Sequence, residues 1–153
     1  LGNICRSPLA EGIMREKISR LGLNWEVDSA GTNGFHVGEN PHPLSQKVAK
    51  LNGIDISRQV ARKFTKHDFE SFDRIYVMAA DVLQEMKSIL GNNISYEKIE
   101  FFLNDLYPQQ QMDVPDPWYG TEPGYHEVYA LIEKGCDAII EKYMVAKNKT
   151  KKV

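Results

Sequence analysis

Cysteine is nearly missing from this chain: Cys5 and Cys136 are the only two in 153 residues. Two cysteines cannot staple a disulfide scaffold, and their scarcity points to a reducing, cytoplasmic setting. Long apolar runs are missing too. The longest, Ile75 to Ala80, is far short of the ~18–20 residues a membrane span needs. No charged-then-apolar leader reads as a signal peptide. Charge of one sign is also lacking. Nineteen basic residues face 21 acidic ones, for a net charge of -2, which leaves no footprint for nucleic acid. His36, His42, His67 and His126 show no metal-ligand spacing. Repeats, linkers and low-complexity tracts are absent. What is present, 42% hydrophobic and 26% charged residues, excludes disorder as the main state. The length fits one domain with its own core.

Apolar spacing sets out the elements. Leu9, Ile13, Met14, Ile18 and Leu21 fall on one helical face, with Ser7-Pro8 as its start and Gly22 as its stop. Trp25 to Ala30 reads as a short extended stretch before a Gly/Asn/Pro-rich loop. Leu44, Val48 and Leu51 mark a second helix that Gly53 ends. Ile75 to Met78 has the continuous apolar look of a strand buried on both faces. Val82, Leu83, Met86, Ile89 and Leu90 give the next helix its stripe. Ile99 to Leu103 is another apolar run, and residues 104–125 form a long loop with four prolines. A last helix carries Val128, Leu131, Ile132, Ile139, Ile140 and Tyr143. The expectation is one α/β domain over 1–146 with a basic, disordered tail at 147–153. Its sheet is expected to be parallel, with helices on both faces.

The front of the chain is unusual. Leu1 to Arg6 lead directly into Ser7-Pro8 and a helix. In an α/β domain such a loop follows a strand, so the first strand is expected upstream of Leu1. A Gly/Asn loop feeding a helix N-terminus is also an anion cradle, because backbone N–H groups and the helix dipole converge there. Gly2 allows close backbone approach, and Asn3 tolerates left-handed geometry. Arg6 can hold two phosphoryl oxygens at once. By spacing alone, an ordinary capped turn with a surface arginine remains an equal reading.

Leu1-Gly2-Asn3-Ile4-Cys5-Arg6-Ser7-Pro8 resembles the phosphate loop of the low-molecular-weight protein tyrosine phosphatases: Cys, five residues, Arg, then Ser-Pro. The cysteine of that pattern falls just before Leu1. Asp28-Ser29-Ala30-Gly31-Thr32, Ser57 to Arg62, Asp68-Phe69, Phe72-Asp73 and Asp116-Pro117-Trp118-Tyr119-Gly120 extend the likeness along nearly the whole chain.

The resemblance implies a doubly wound, four-stranded parallel sheet and a phosphotyrosine hydrolase that forms a phosphocysteine. Arg6 and Asp116 match the catalytic arginine and the general acid. Leu1, Gly2, Asn3, Ile4, Cys5 and Ser7 match the phosphate-binding positions. Phe35, Trp118 and Tyr119 match the aromatic rim that takes the phenyl ring. Cys5 matches a redox partner of the nucleophile, able to protect it from irreversible oxidation. The implied partners are a phosphotyrosine protein and, in the pocket, inorganic phosphate or another oxyanion. No cofactor or metal is implied. Asp113 is a lesser rival to Asp116, Cys136 reads as a buried small residue, and His67 as a possible support near the loop.

Two positions depart from the family pattern. Ala79 stands where an aspartate is usual after the third strand, with Asp81 two residues on as a partial stand-in or a helix cap. His42 stands where an acid is frequent. Three readings compete with a tyrosine phosphatase. A protein arginine phosphatase shares the fold, but such relatives tend to carry Thr where Ile4 stands. An arsenate reductase needs more cysteines. A non-catalytic phosphotyrosine-binding module follows if the residue before Leu1 is not cysteine, though it would have no use for Asp116.

Overall fold

The computed structural model describes residues 2–91, 94–118 and 120–151. Its elements run α1 (Arg6–Leu21), α2 (Pro43–Leu51), α3 (Lys66–Ser71), β1 (Ile75–Val77), α4 (Ala80–Leu90), β2 (Ile99–Phe101) and α5 (Glu122–Lys151). The domain is α/β. Among the described residues β1 and β2 form one parallel sheet, with Ile75 opposite Ile99 and Val77 opposite Phe101. Gly31 adds an isolated parallel bridge to Lys63. Residues 25–30, read from sequence as extended, join no ladder, since a strand is defined by a hydrogen-bonded neighbour. α5 keeps helical backbone through Lys151, into the segment expected to be a disordered tail. The end of that tail, 152–153, lies outside the described residues.

The helix ends follow local chemistry. α1 starts at Arg6, with Cys5 rather than Ser7 in the cap position. It stops at Gly22, whose φ of 65° is the left-handed geometry glycine supplies without strain. α2 begins with His42 accepting the Leu44 N–H on its ring nitrogen and Pro43 in the first turn. α3 was not evident from apolar spacing. A capping box builds it: Thr65 and Asp68 satisfy each other's backbone N–H groups.

The apolar side chains gather in two clusters. The larger joins α1, α2 and α5 through Leu9, Ile13, Val48, Tyr125, Ile132 and Cys136. The smaller joins Phe64, Val77, Met86 and Leu90 beside α4. α1 and α5 approach closely, and α5 comes close to Phe102 because position 135 is glycine. A Cβ there would lie 2.5 Å from Phe102 Cε1. This packing places the N-terminus of α1 beside a cleft that Asn3, Arg6, Phe35, Asp116 and Trp118 border. No helix among the described residues is long and apolar enough to cross a membrane.

Candidate active site

Two carbonyl groups of the loop before α1 are tied down by α2 and its cap. The His42 N–H donates to Ile4 O at 2.7 Å, and Ser45 Oγ donates to Cys5 O at 3.3 Å. Asn3 takes a φ of 62°, the left-handed conformation asparagine accepts more readily than most residues. Its buried side chain is a hub. Nδ2 donates to Ser7 Oγ at 2.8 Å and to Ser29 Oγ at 2.9 Å, and Oδ1 accepts the Arg62 N–H at 3.2 Å. With its oxygen occupied by Asn3, Ser7 keeps its own proton free to donate.

The hub continues outward. Ser29 Oγ donates to Glu11 Oε1 at 2.9 Å. Burial raises the Glu11 carboxyl, against the pull of Ser29 and Arg15. Arg62 bridges Asp28 and Asp68. Burial alone would raise the Asp68 carboxyl, but Arg62 and the Thr65 N–H outweigh it and hold it below the ordinary carboxylate range. Sequence reading singled out none of Glu11, Ser29, Arg62 or Asp68 as a support of the loop. The one local signal was the Thr65-to-Asp68 capping box.

A pH consequence follows. A depressed carboxyl stabilises the fold fully above its unfolded value of ~3.9 and loses that contribution as pH falls through its lower folded value. Asp68→Asn is therefore expected to cost ~1–2 kcal/mol at pH 7. Urea midpoints of variant and wild type should converge as the pH drops below about 4. A gap that stays constant down to acid pH would refute this.

Arg6 is buried, 6% exposed. Its Nη1 donates to Val114 O at 2.8 Å, and its Nη2 stands 3.8 Å from Asp116 Oδ2. The proline-rich loop that carries Asp116 is pinned at several points. The Val114 N–H donates to Met78 O at 2.7 Å. Asp113 Oδ1 accepts the Ala80 N–H at the start of α4, so Asp113 is engaged in capping. The Trp118 N–H donates to Asp116 Oδ1 at 3.0 Å. Asp81 accepts the N–H of Val82, its own neighbour, in the exposed first turn of α4.

The structure thus brings Gly2, Asn3, Ile4, Cys5, Arg6, Ser7, Phe35, Asp116 and Trp118 around one cleft. Phe35 is 87% exposed and Trp118 38% exposed, so both rings sit at its mouth. Leu1 and Tyr119 lie outside the described residues. Cys5 is buried, its Sγ 3.8 Å from the Tyr125 hydroxyl. Burial pushes its thiol up to about 11, against the lowering contact with Tyr125. Cys136 is buried against α1, and burial pushes it up to about 12. His67 bonds Ser71 within α3.

An amide-lined loop at a helix N-terminus, with a buried arginine facing a carboxylate, is laid out for phosphoryl transfer. Known proteins agree with that class. The family model for low molecular weight phosphotyrosine protein phosphatase matches residues 1–151. The human low molecular weight phosphotyrosine protein phosphatase is 38% identical over 145 residues, covering 93% of this chain and 90% of the relative. The crystal structure of YfkJ from Bacillus subtilis superposes with a TM-score of 0.87 at 34% identity, covering 96% of this chain and 92% of that one. A Drosophila arginine phosphatase structure gives a TM-score of 0.85 at 27% identity, covering 94% of this chain and 93% of that one. The chain belongs to the low molecular weight phosphotyrosine protein phosphatase family. It is a phosphoric monoester hydrolase whose substrates are phosphoproteins.

Proposed function

We propose that the protein hydrolyses phosphotyrosine in two steps on a cysteine that immediately precedes Leu1. A thiolate there would face the loop amides, the α1 N-terminus and Arg6, all of which favour its ionised form. It attacks phosphorus, the S–P bond forms and the P–O bond to the tyrosyl oxygen breaks. Asp116 gives that oxygen its proton. In the second step Asp116, now a carboxylate, takes a proton from water. The water oxygen bonds to phosphorus, the S–P bond breaks, and phosphate and thiolate are released. Arg6 clamps the equatorial oxygens in both transition states. The N–H groups of residues 2–6 and the Ser7 hydroxyl hold the remaining charge. Cys5 does not act as nucleophile, because its raised thiol is protonated at neutral pH. In this reading it is the redox partner of the nucleophile.

The observation that carries the proposal is the convergence of Arg6 and Asp116, 3.8 Å apart across the loop. Phe35 and Trp118, with Tyr119, form the rim that accepts the phenyl ring. The sheet in this reading has four parallel strands. Residues 24–30 and 74–76 both border the cleft, and a strand leading into Leu1 would pair between them. The domain spans 1–146, followed by the basic tail 147–153. The setting is cytoplasmic, in keeping with two free thiols at Cys5 and Cys136.

Phosphoarginine is the second reading, favoured by the likeness to the Drosophila arginine phosphatase. Ile4 weighs against it. Its side chain lines the cleft and is 8% exposed, an apolar wall suited to a phenol ester. Turnover of matched phosphotyrosine and phosphoarginine peptides by the full-length protein tests the choice. The phosphotyrosine peptide is expected to be preferred by roughly tenfold or more in kcat/KM. The reverse preference would establish the second reading. Tight phosphate binding with no turnover of either would leave a binding module.

A further inference from the structure

We propose that His36 is a positioning residue for Asp116, acting through the Trp118 indole. The inference rests on the reading of Asp116 as general acid. Three contacts support it. The His36 ring lies against the Trp118 ring, centroids 5.3 Å apart and tilted by 57°. It also lies against the backbone of Gly2, where a Cβ would come within 2.6 Å of His36 Cδ2. Its Nδ1 bonds the Glu39 carboxylate, which fixes the ring plane. His36 therefore links the start of the phosphate loop to the loop that carries the acid.

His42 closes the other side of the indole. Its ring meets Trp118 edge-on, with centroids 5.4 Å apart, and stacks on Tyr125 at 5.1 Å. Tyr125 in turn contacts Cys5. The indole is thus bracketed by two imidazoles, each tied to residues 2–5. Trp118 passes this restraint on directly. Its N–H holds Asp116 Oδ1 at 3.0 Å, leaving Oδ2 turned toward Arg6. Fixing the indole fixes the amide, and the amide fixes the carboxyl rotamer. Gly2 is required here by the approach of an imidazole.

The expected magnitude is that of one aromatic contact, roughly 2- to 12-fold in rate. The test uses the full-length protein and two aryl phosphates: phenyl phosphate, whose leaving group needs a proton, and p-nitrophenyl phosphate, whose leaving group needs one far less. His36→Ala is expected to lower kcat/KM on phenyl phosphate, which reads only the steps through loss of the phenol, by a factor in that range. kcat/KM on p-nitrophenyl phosphate should change little. His36→Phe, which keeps a ring against Trp118, should restore most of the rate. In an Asp116→Asn background His36→Ala should cost nothing further, because it acts through the same group. Equal losses in kcat/KM on both substrates, no loss on either, or a full additional loss in the double variant would each overturn the proposal. A different outcome separates its premise. If Asp116→Asn itself showed no dependence on the leaving group, the acid reading would fail, and the His36 proposal with it.

Discussion

Arg6→Ala is expected to remove turnover and phosphate binding together. The guanidinium is 6% exposed and already oriented, with one arm on Val114 O and the other facing Asp116. In the proposed mechanism it therefore meets the dianion with little reorganisation. An arginine that clamps the transferring phosphoryl group is worth roughly 10³–10⁵ in rate. A loss of that size in kcat is expected, with inorganic phosphate binding lost in calorimetry at neutral pH. Arg6→Lys should rescue little, because a point charge cannot hold two oxygens in one plane. The Val114 bond would also be lost in Arg6→Ala, so some slackening of the 113–118 loop accompanies the change. If the variant still bound phosphate tightly, the loop would not be the anion site.

The second large effect belongs to Asp116. Asp116→Asn keeps the side-chain size and an oxygen for the Trp118 N–H, but it has no proton to give the leaving group. General acid catalysis contributes ~10²–10⁴, so kcat/KM for phenyl phosphate is expected to fall by about 100-fold or more. In kcat/KM, substrates with acidic leaving groups should suffer far less. Phosphate binding should survive or tighten, since the variant removes a negative charge near the pocket. A full rate on phenyl phosphate would remove Asp116 from the mechanism. Asp113 would not inherit the role, because its carboxylate is spent on the Ala80 N–H.

Much of the candidate site was legible because its residues are local. The proposed phosphate loop and the start of α1 are contiguous, and Gly2, Asn3 and Arg6 each have a backbone or charge property that a sequence displays. Asn3 does adopt the left-handed conformation its residue type allows. The helices were legible where an apolar stripe met a glycine stop, as at Gly22. Contacts that depend on the fold were not visible. Asn3, Ser29 and Arg62 meet only because the 28–31 and 61–63 segments run side by side, joined by the Gly31–Lys63 bridge. Nothing in their spacing announces this. α3 was missed because a six-residue helix is too short for apolar periodicity, although its capping box was readable. His36 and His42 were set aside for lack of metal-ligand spacing. Their role is to pack on a ring, and spacing carries no record of that.

The place of α1 has a consequence for how such a protein can change over time. Its first turn follows the phosphate loop, while Leu9 and Ile13, one and two turns on, are sealed in the core. A substitution that relaxes this helix shifts the catalytic groups as well as the packing, so drift along it is penalised twice. Asn33 and the exposed Phe35 border the cleft with far fewer core commitments. New substrate preferences can arise there by exchange of surface side chains, while Asp116 and its supports His36 and Trp118 stay in place. The family's diversity should therefore concentrate at the mouth of the cleft, and its uniformity along the helix beneath.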